Sequence, residues 1–114
     1  MIFCHITVYA LYAANPVPSD TASDGTDPMS MSIDVKGEGA IIACVGGQDP
    51  SNPAPTWTWS GLVEDYDATS QPEISMSSAS QVYGSAQTGI TITATPSASV
   101  LAGCAVAAAF QPTG

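Results

Sequence analysis

Met29, Met31, Ile33 and Val35 alternate with Ser30, Ser32 and Asp34. A period of two puts one set of side chains on each face of an extended strand, whereas a helix would mix both sets around its axis. The same rhythm returns where Trp57 and Trp59 stand between Thr56, Thr58 and Ser60, and where Ile90, Ile92 and Ala94 stand between Thr91, Thr93 and Thr95. Clusters of Gly, Pro, Asn, Asp and Ser separate these runs at roughly 8–12 residue intervals, the spacing of sandwiches and barrels. The chain is therefore expected to be all-β: an antiparallel β-sandwich, jelly-roll or immunoglobulin-like, with seven or eight strands in a single domain over residues 1–114.

The remaining segments are placed around those runs. Residues from about 2 to 13 read as a first strand, stopped by Asn15-Pro16-Val17-Pro18, because proline cannot donate to a sheet ladder. Residues 19–28 read as a polar loop. Ala40 to Val45 is a nearly continuous apolar run, and with Met29 to Val35 and the glycine-containing link Lys36-Gly37-Glu38-Gly39 it reads as a β-hairpin. Gly46 to Pro55 is a loop, Glu64 to Asp67 a short acidic stretch, and Glu73 to Ser77 and Gln81 to Ser85 two weaker strands. Leu101 to Phe110, rich in Ala, reads as a central strand squeezed between close neighbours. A helix over 98–110 is its rival, opposed by Gly103 and the β-branched Val100 and Val106.

Three cysteines, Cys4, Cys44 and Cys104, each lie in an apolar run without a Cys-x-x-Cys pair, so buried thiols are expected rather than a zinc site. A Cys44–Cys104 disulfide requires neighbouring strands with suitable Cβ vectors. Ile2 to Ala14 could pass for a signal-peptide core, but it lacks the preceding basic residues and its small-residue cleavage site is poor, so it reads as a strand. No apolar run reaches the roughly 18 residues of a spanning helix.

Ten carboxylates face one lysine (Lys36) and no arginine, for a net charge of −9. Nucleic-acid binding depends on neutralising phosphates, and anionic membranes repel such a surface, so neither partner is expected. The single histidine, His5, adjoins Cys4, and strand neighbours point to opposite faces, which makes a poor Cys–His dyad. No Gly-x-Ser-x-Gly, P-loop or His-Glu-x-x-His motif is present, and no catalytic residues are assigned. Asp20, Asp24 and Asp27 with Gly25 form a candidate calcium loop, though without the EF-hand spacing; a solvated acidic loop is the simpler reading, as it is for Glu64, Asp65 and Asp67. Trp57 and Trp59 share a strand face and form either a sugar-stacking platform or a core plug, the latter favoured by the polar Thr56, Thr58 and Ser60 opposite. The expected outward residues are Ser, Thr, Ala and Asp, with little of the lysine that usually guards strand edges, and this favours assembly with other chains.

The segments Thr56-Trp57-Thr58-Trp59-Ser60-Gly61-Leu62-Val63-Glu64-Asp65-Tyr66-Asp67, Ser85 to Thr95 and Ala105 to Phe110, with Ser32 to Val35 and Ala40 to Ala43 before them, resemble small β-sandwich structural proteins of tailed phages and alphaproteobacterial prophage-like regions. The resemblance covers roughly residues 29–110 and implies a virion structural protein, most readily a capsid decoration or cement protein. It would be made in the host cytoplasm and bridge capsid subunits, and copies of itself, on the outer surface of the shell. The alternative expectation is a secreted or surface binding module for carbohydrate or adhesion, including a tail-fibre type domain.

Overall fold

The computed structural model describes residues 8–49, 53–71 and 73–113. Eight strands carry the fold: β1 (Asp20–Asp24), β2 (Met29–Val35), β3 (Ala40–Gln48), β4 (Trp57–Ser60), β5 (Val63–Gln71), β6 (Ile74–Val82), β7 (Gln87–Pro96) and β8 (Ala102–Phe110). They form two antiparallel sheets, one of five strands in the order β1-β8-β3-β6-β5 and one of three in the order β2-β7-β4. The chain is thus a β-sandwich, as the alternation requires. Its pairing is nested: β1 with β8, β2 with β7, β3 with β6. That is a long ribbon rolled on itself, the jelly-roll form. In the immunoglobulin arrangement the first two strands share a sheet, whereas here they lie in different ones.

The two sheets divide the core by size. The three-stranded sheet turns Met29, Met31, Ile33, Trp57 and Ile92 inward; the five-stranded sheet answers with Ala79, Ala105, Ala107 and Ala109 alongside Ile41, Ala43 and Val45. Large residues on one sheet fill the space left by small ones on the other, which is how a sandwich of this size reaches interior packing density. The alanines of β8 have a second role, since β8 lies between β1 and β3. The squeezed central strand expected at Leu101 to Phe110 is present as β8, and its helical rival is excluded.

Several expectations change. The 29–45 hairpin is an arch: β2 and β3 belong to opposite sheets. Glu38 takes a left-handed φ of 58° and Gly39 N donates to Lys36 O at 3.0 Å in the turn that carries the chain across. A Cβ on Gly39 would stand 2.6 Å from Phe110 O, so the crossing needs glycine there. Both hairpin and arch place Met29 to Val35 and Ala40 to Val45 around one core, so alternation alone could not separate them. The polar segment 19–28 contains β1, which the ladder to β8 holds extended despite its turn-forming residues. The acidic stretch lies in edge strand β5, and the two weaker strands give way to one, β6, which ends at Val82 and leaves Tyr83 to Ser85 in the turn before β7. Residues 8–13 form no strand, and the rest of the expected first strand lies outside the described residues.

Candidate functional site

The three aspartates of the expected calcium loop are not brought together. Asp20 and Asp24 sit at opposite ends of β1, four residues apart, a rise of roughly 13 Å. Each already serves the backbone. Asp20 accepts from the amides of Thr21 at 2.9 Å and Asp34 at 2.8 Å. Asp24 accepts from the amide of Ser30 at 2.8 Å and from the hydroxyl and amide of Thr26 at 2.9 Å and 3.1 Å, and these bonds hold its carboxyl below the usual range. Asp27 accepts from the amide of Val100 at 3.2 Å, tying the β1–β2 loop to the β7–β8 connection. Among the described residues no group of three or more His, Cys, Asp or Glu side chains could hold a metal. The calcium reading is therefore replaced by three turn-fastening caps.

The indoles form no open platform. Trp57 is 3% exposed, its ring lies against Gly47, and its Nε1 donates to Ser75 Oγ at 2.9 Å. Trp59, partly buried, donates from Nε1 to Ser77 Oγ at 2.8 Å, and Ser77 in turn donates to Tyr66 O at 2.9 Å. Two indole N–H groups thus find inward-facing serines on β6, which is why that serine-rich strand can face a core. The cysteines also depart from expectation. Cys44 is half-buried and Cys104 exposed, both as free thiols on the outer side of the five-stranded sheet. They lie on neighbouring strands, but Cys44 is opposite Val106 and Cys104 opposite Gly46. Burial pushes the Cys44 thiol pKa up, so it is no activated nucleophile. Cys4 and His5 lie outside the described residues.

The feature that residue-by-residue motif reading missed is a whole sheet face. On β8 the inward row is Ala105, Ala107 and Ala109, on β3 Ile41, Ala43 and Val45, and on β6 Ser75, Ser77 and Ala79. The alternate positions point away from the core. They are Ala102, Cys104, Val106, Ala108 and Phe110 on β8; Ala40, Ile42, Cys44, Gly46 and Gln48 on β3; and Ile74, Met76, Ser78, Ser80 and Val82 on β6. None of these carries a charge. Val106 is 52% exposed and Val82 71% exposed, and on the neighbouring edge strand Val63 and Tyr66 are open as well. Strands apolar on both faces normally lie between two layers. Among the described residues the second layer is thin: Ala14 bridges to Pro112, and the chain before it crosses the sheet as far as Tyr9, whose hydroxyl donates to Asp65 Oδ2 at 2.8 Å. Beside this strap a groove opens between Ile42, Cys44, Val106, Ala108 and Phe110. A signal for the face was present in the sequence, in the unbroken apolar run of Ala40 to Val45.

Burial pushes the Tyr9 pKa up to about 12, with the Asp65 carboxylate adding to the effect. A raised folded-state value means that the docked strap is favoured below the ordinary tyrosine range. That contribution is lost as pH climbs from about 10 to about 12. Burial raises the Tyr83 pKa as well, so a tyrosinate absorbance titration is expected to show Tyr9 as a late-ionising tyrosine that alone is shifted back toward the ordinary value by Asp65→Asn; a titration curve unchanged by Asp65→Asn would show that the strap is not docked.

No family model matches this chain, and neither a curated protein nor a solved structure matches it.

Proposed function

We propose that this chain is a structural assembly protein of a virion, a decoration or cement protein of the kind found on tailed phages, which works by protein–protein contact through the outer face of its five-stranded sheet. The observation that carries the reading is that face: uncharged over three adjacent strands, apolar, and borne by strands β3 and β8 whose composition suits burial on both sides. The rolled sandwich is also a form that capsid and lectin domains use. With one lysine and no arginine, the chain has little with which to hold packaged nucleic acid, which suits a place outside the shell. A carbohydrate-binding module loses its main support with the burial of Trp57.

The test is incorporation. Purified particles are expected to carry the chain in a fixed ratio to the major shell protein, and a Val106→Asp chain is expected to be absent from them. Val106 faces away from the core and is 52% exposed, so the substitution is expected to cost the fold only about 1 kcal/mol or less. Particles without the chain, or equal incorporation of the variant, would defeat the proposal.

A further inference from the structure

We infer that Cys44, Met76 and Cys104 form a three-sulfur binding site for a soft monovalent cation, copper(I), around Gly46 on the outer face of the five-stranded sheet. The site stands apart from the assembly reading, and neither requires the other. Strand register brings the sulfurs together. Gly46 of β3 is paired with Met76 of β6 on one side and with Cys104 of β8 on the other. Cys44, two residues before Gly46 on β3, points to the same face. It is opposite Val106, so Cys104 is its diagonal neighbour across the β3–β8 ladder. Gly46 has no side chain, which leaves a gap between the three. Met76 leans into it: its Cγ and Cε both lie 3.7 Å from where a Gly46 Cβ would stand, so the thioether sulfur that joins them is held over the glycine.

Packing does not demand glycine at position 46. Contacts of 3.7 Å are ordinary, so a methyl group would fit, whereas at Gly47 and Gly103 on the inner side a Cβ would meet atoms at 3.0 Å and 2.6 Å. A glycine weakens a strand interior, and one with no packing reason marks the close approach of something else. Spacing and donor chemistry say what. Diagonal neighbours in an antiparallel pair stand about 7–8 Å apart. A disulfide needs Cα atoms within about 6.8 Å and an S–S bond of about 2.05 Å, so the two thiols are too far apart to join directly. An ion between them, at roughly the 2.3 Å of a zinc–thiolate bond on each side, spans up to about 4.6 Å from sulfur to sulfur and bridges that diagonal. Both cysteines are free, Cys44 half-buried and Cys104 exposed, so an ion reaches them from solvent. Thiolate and thioether together select copper(I), while hard cations need oxygen ligands. No outward position of β8, β3 or β6 carries a carboxylate. Structural zinc takes four ligands, and among the described residues this set has three. The net charge of −9 draws cations toward the chain. On binding, two copper–thiolate bonds form as two thiol protons pass to solvent, the thioether coordinates without losing a group, and the copper stays copper(I).

The test is an anaerobic titration of the full, reduced chain with copper(I) against a chromophoric copper(I) chelator. One equivalent is expected to bind per chain. Met76→Leu is expected to weaken binding at least about tenfold, and Cys44→Ala or Cys104→Ala more, since a ligand counts for more than the roughly 10–100-fold of the groups that support one. Cys4→Ala is expected to bind as wild type, which separates the site from the third thiol. Met76→Leu conserves volume and Cys104 is exposed, so these variants keep the fold, as circular dichroism checks. Copper(I) is expected to raise the melting temperature of the wild type and not of Cys104→Ala. X-ray absorption at the copper is expected to show three sulfur neighbours. Failure to bind one equivalent, binding unchanged in Cys104→Ala, or binding lost in Cys4→Ala overturns the site. Binding indifferent to Met76→Leu, with two sulfur neighbours at the copper, overturns the three-sulfur arrangement.

Discussion

Replacing Trp57 with alanine is expected to cost roughly 3–5 kcal/mol of folding stability, enough to remove much of the stability typical of a domain this size. Trp57 is 3% exposed, and the loss combines three contributions. The indole fills the space over Gly47, where an added Cβ would stand 3.0 Å from its Cζ2, so truncation opens a cavity that the neighbouring strand cannot readily fill. Ser75 Oγ loses the indole N–H that reaches it at 2.9 Å inside the core. The transfer free energy of a large aromatic surface goes with them. Urea unfolding followed by circular dichroism checks the value: a lower midpoint with an unchanged slope places the loss in the native state. Trp57→Phe, which retains a ring but leaves the Ser75 hydroxyl unpaired, is expected to fall between. A wild-type midpoint in Trp57→Ala would mean the indole is not the core plug described.

Gly103→Ala is expected to destabilise as an overpacked site, by about 1–3 kcal/mol or more, although it adds a single methyl group. Gly103 pairs with Gly47 on the inner side of the five-stranded sheet. Its Cβ would stand 2.6 Å from Gly46 O, 2.7 Å from Met29 Cε and 3.1 Å from Gly47 Cα. Met29 can swing aside, but two of the three contacts are backbone of β3, which is itself paired on both sides to β6 and β8 and has little freedom to retreat. Gly84 is the control: a Cβ there meets nothing within 4 Å, so Gly84→Ala is expected to stay within about 0.5 kcal/mol of wild type. Thermal and urea unfolding of the pair decide the matter; equal stability of the two variants would show that the Gly47–Gly103 pair is looser than its geometry.

The strands that were legible in the sequence are those whose two faces differ. Met29 to Val35, the Trp57–Trp59 pair and Ile90 to Ala94 each set apolar against Ser or Thr, and each lies in the three-stranded sheet with one face open. The five-stranded sheet was harder. β1 is written in turn-forming residues and is extended because β8 offers it a ladder. In β6 serines occupy both faces, the inward ones serving the indoles, so no alternation marked it as a single strand. The arch between β2 and β3 was hidden because a hairpin would present the same apolar rows to one core. At the level of sites, three aspartates in one short stretch suggest a cation, yet the backbone amides of Thr21, Thr26, Ser30, Asp34 and Val100 had first claim on their oxygens. The apolar face was half visible. The run Ala40 to Val45 announced a strand buried on both sides, but which residues lay beside it, and that they too were uncharged, depended on a sheet order that brings β3 between β8 and β6.

The central claim is that the outer face of β8, β3 and β6 is an assembly contact while the outer face of the three-stranded sheet is solvent-facing. Co-sedimentation of Val106→Asp and Thr91→Asp chains with particles separates the two faces directly. Both positions point outward and both are exposed, so charge and fold stability change alike and only location differs. Loss of binding in Val106→Asp with retention in Thr91→Asp is the predicted result; retention in Val106→Asp, or loss in Thr91→Asp alone, would contradict it.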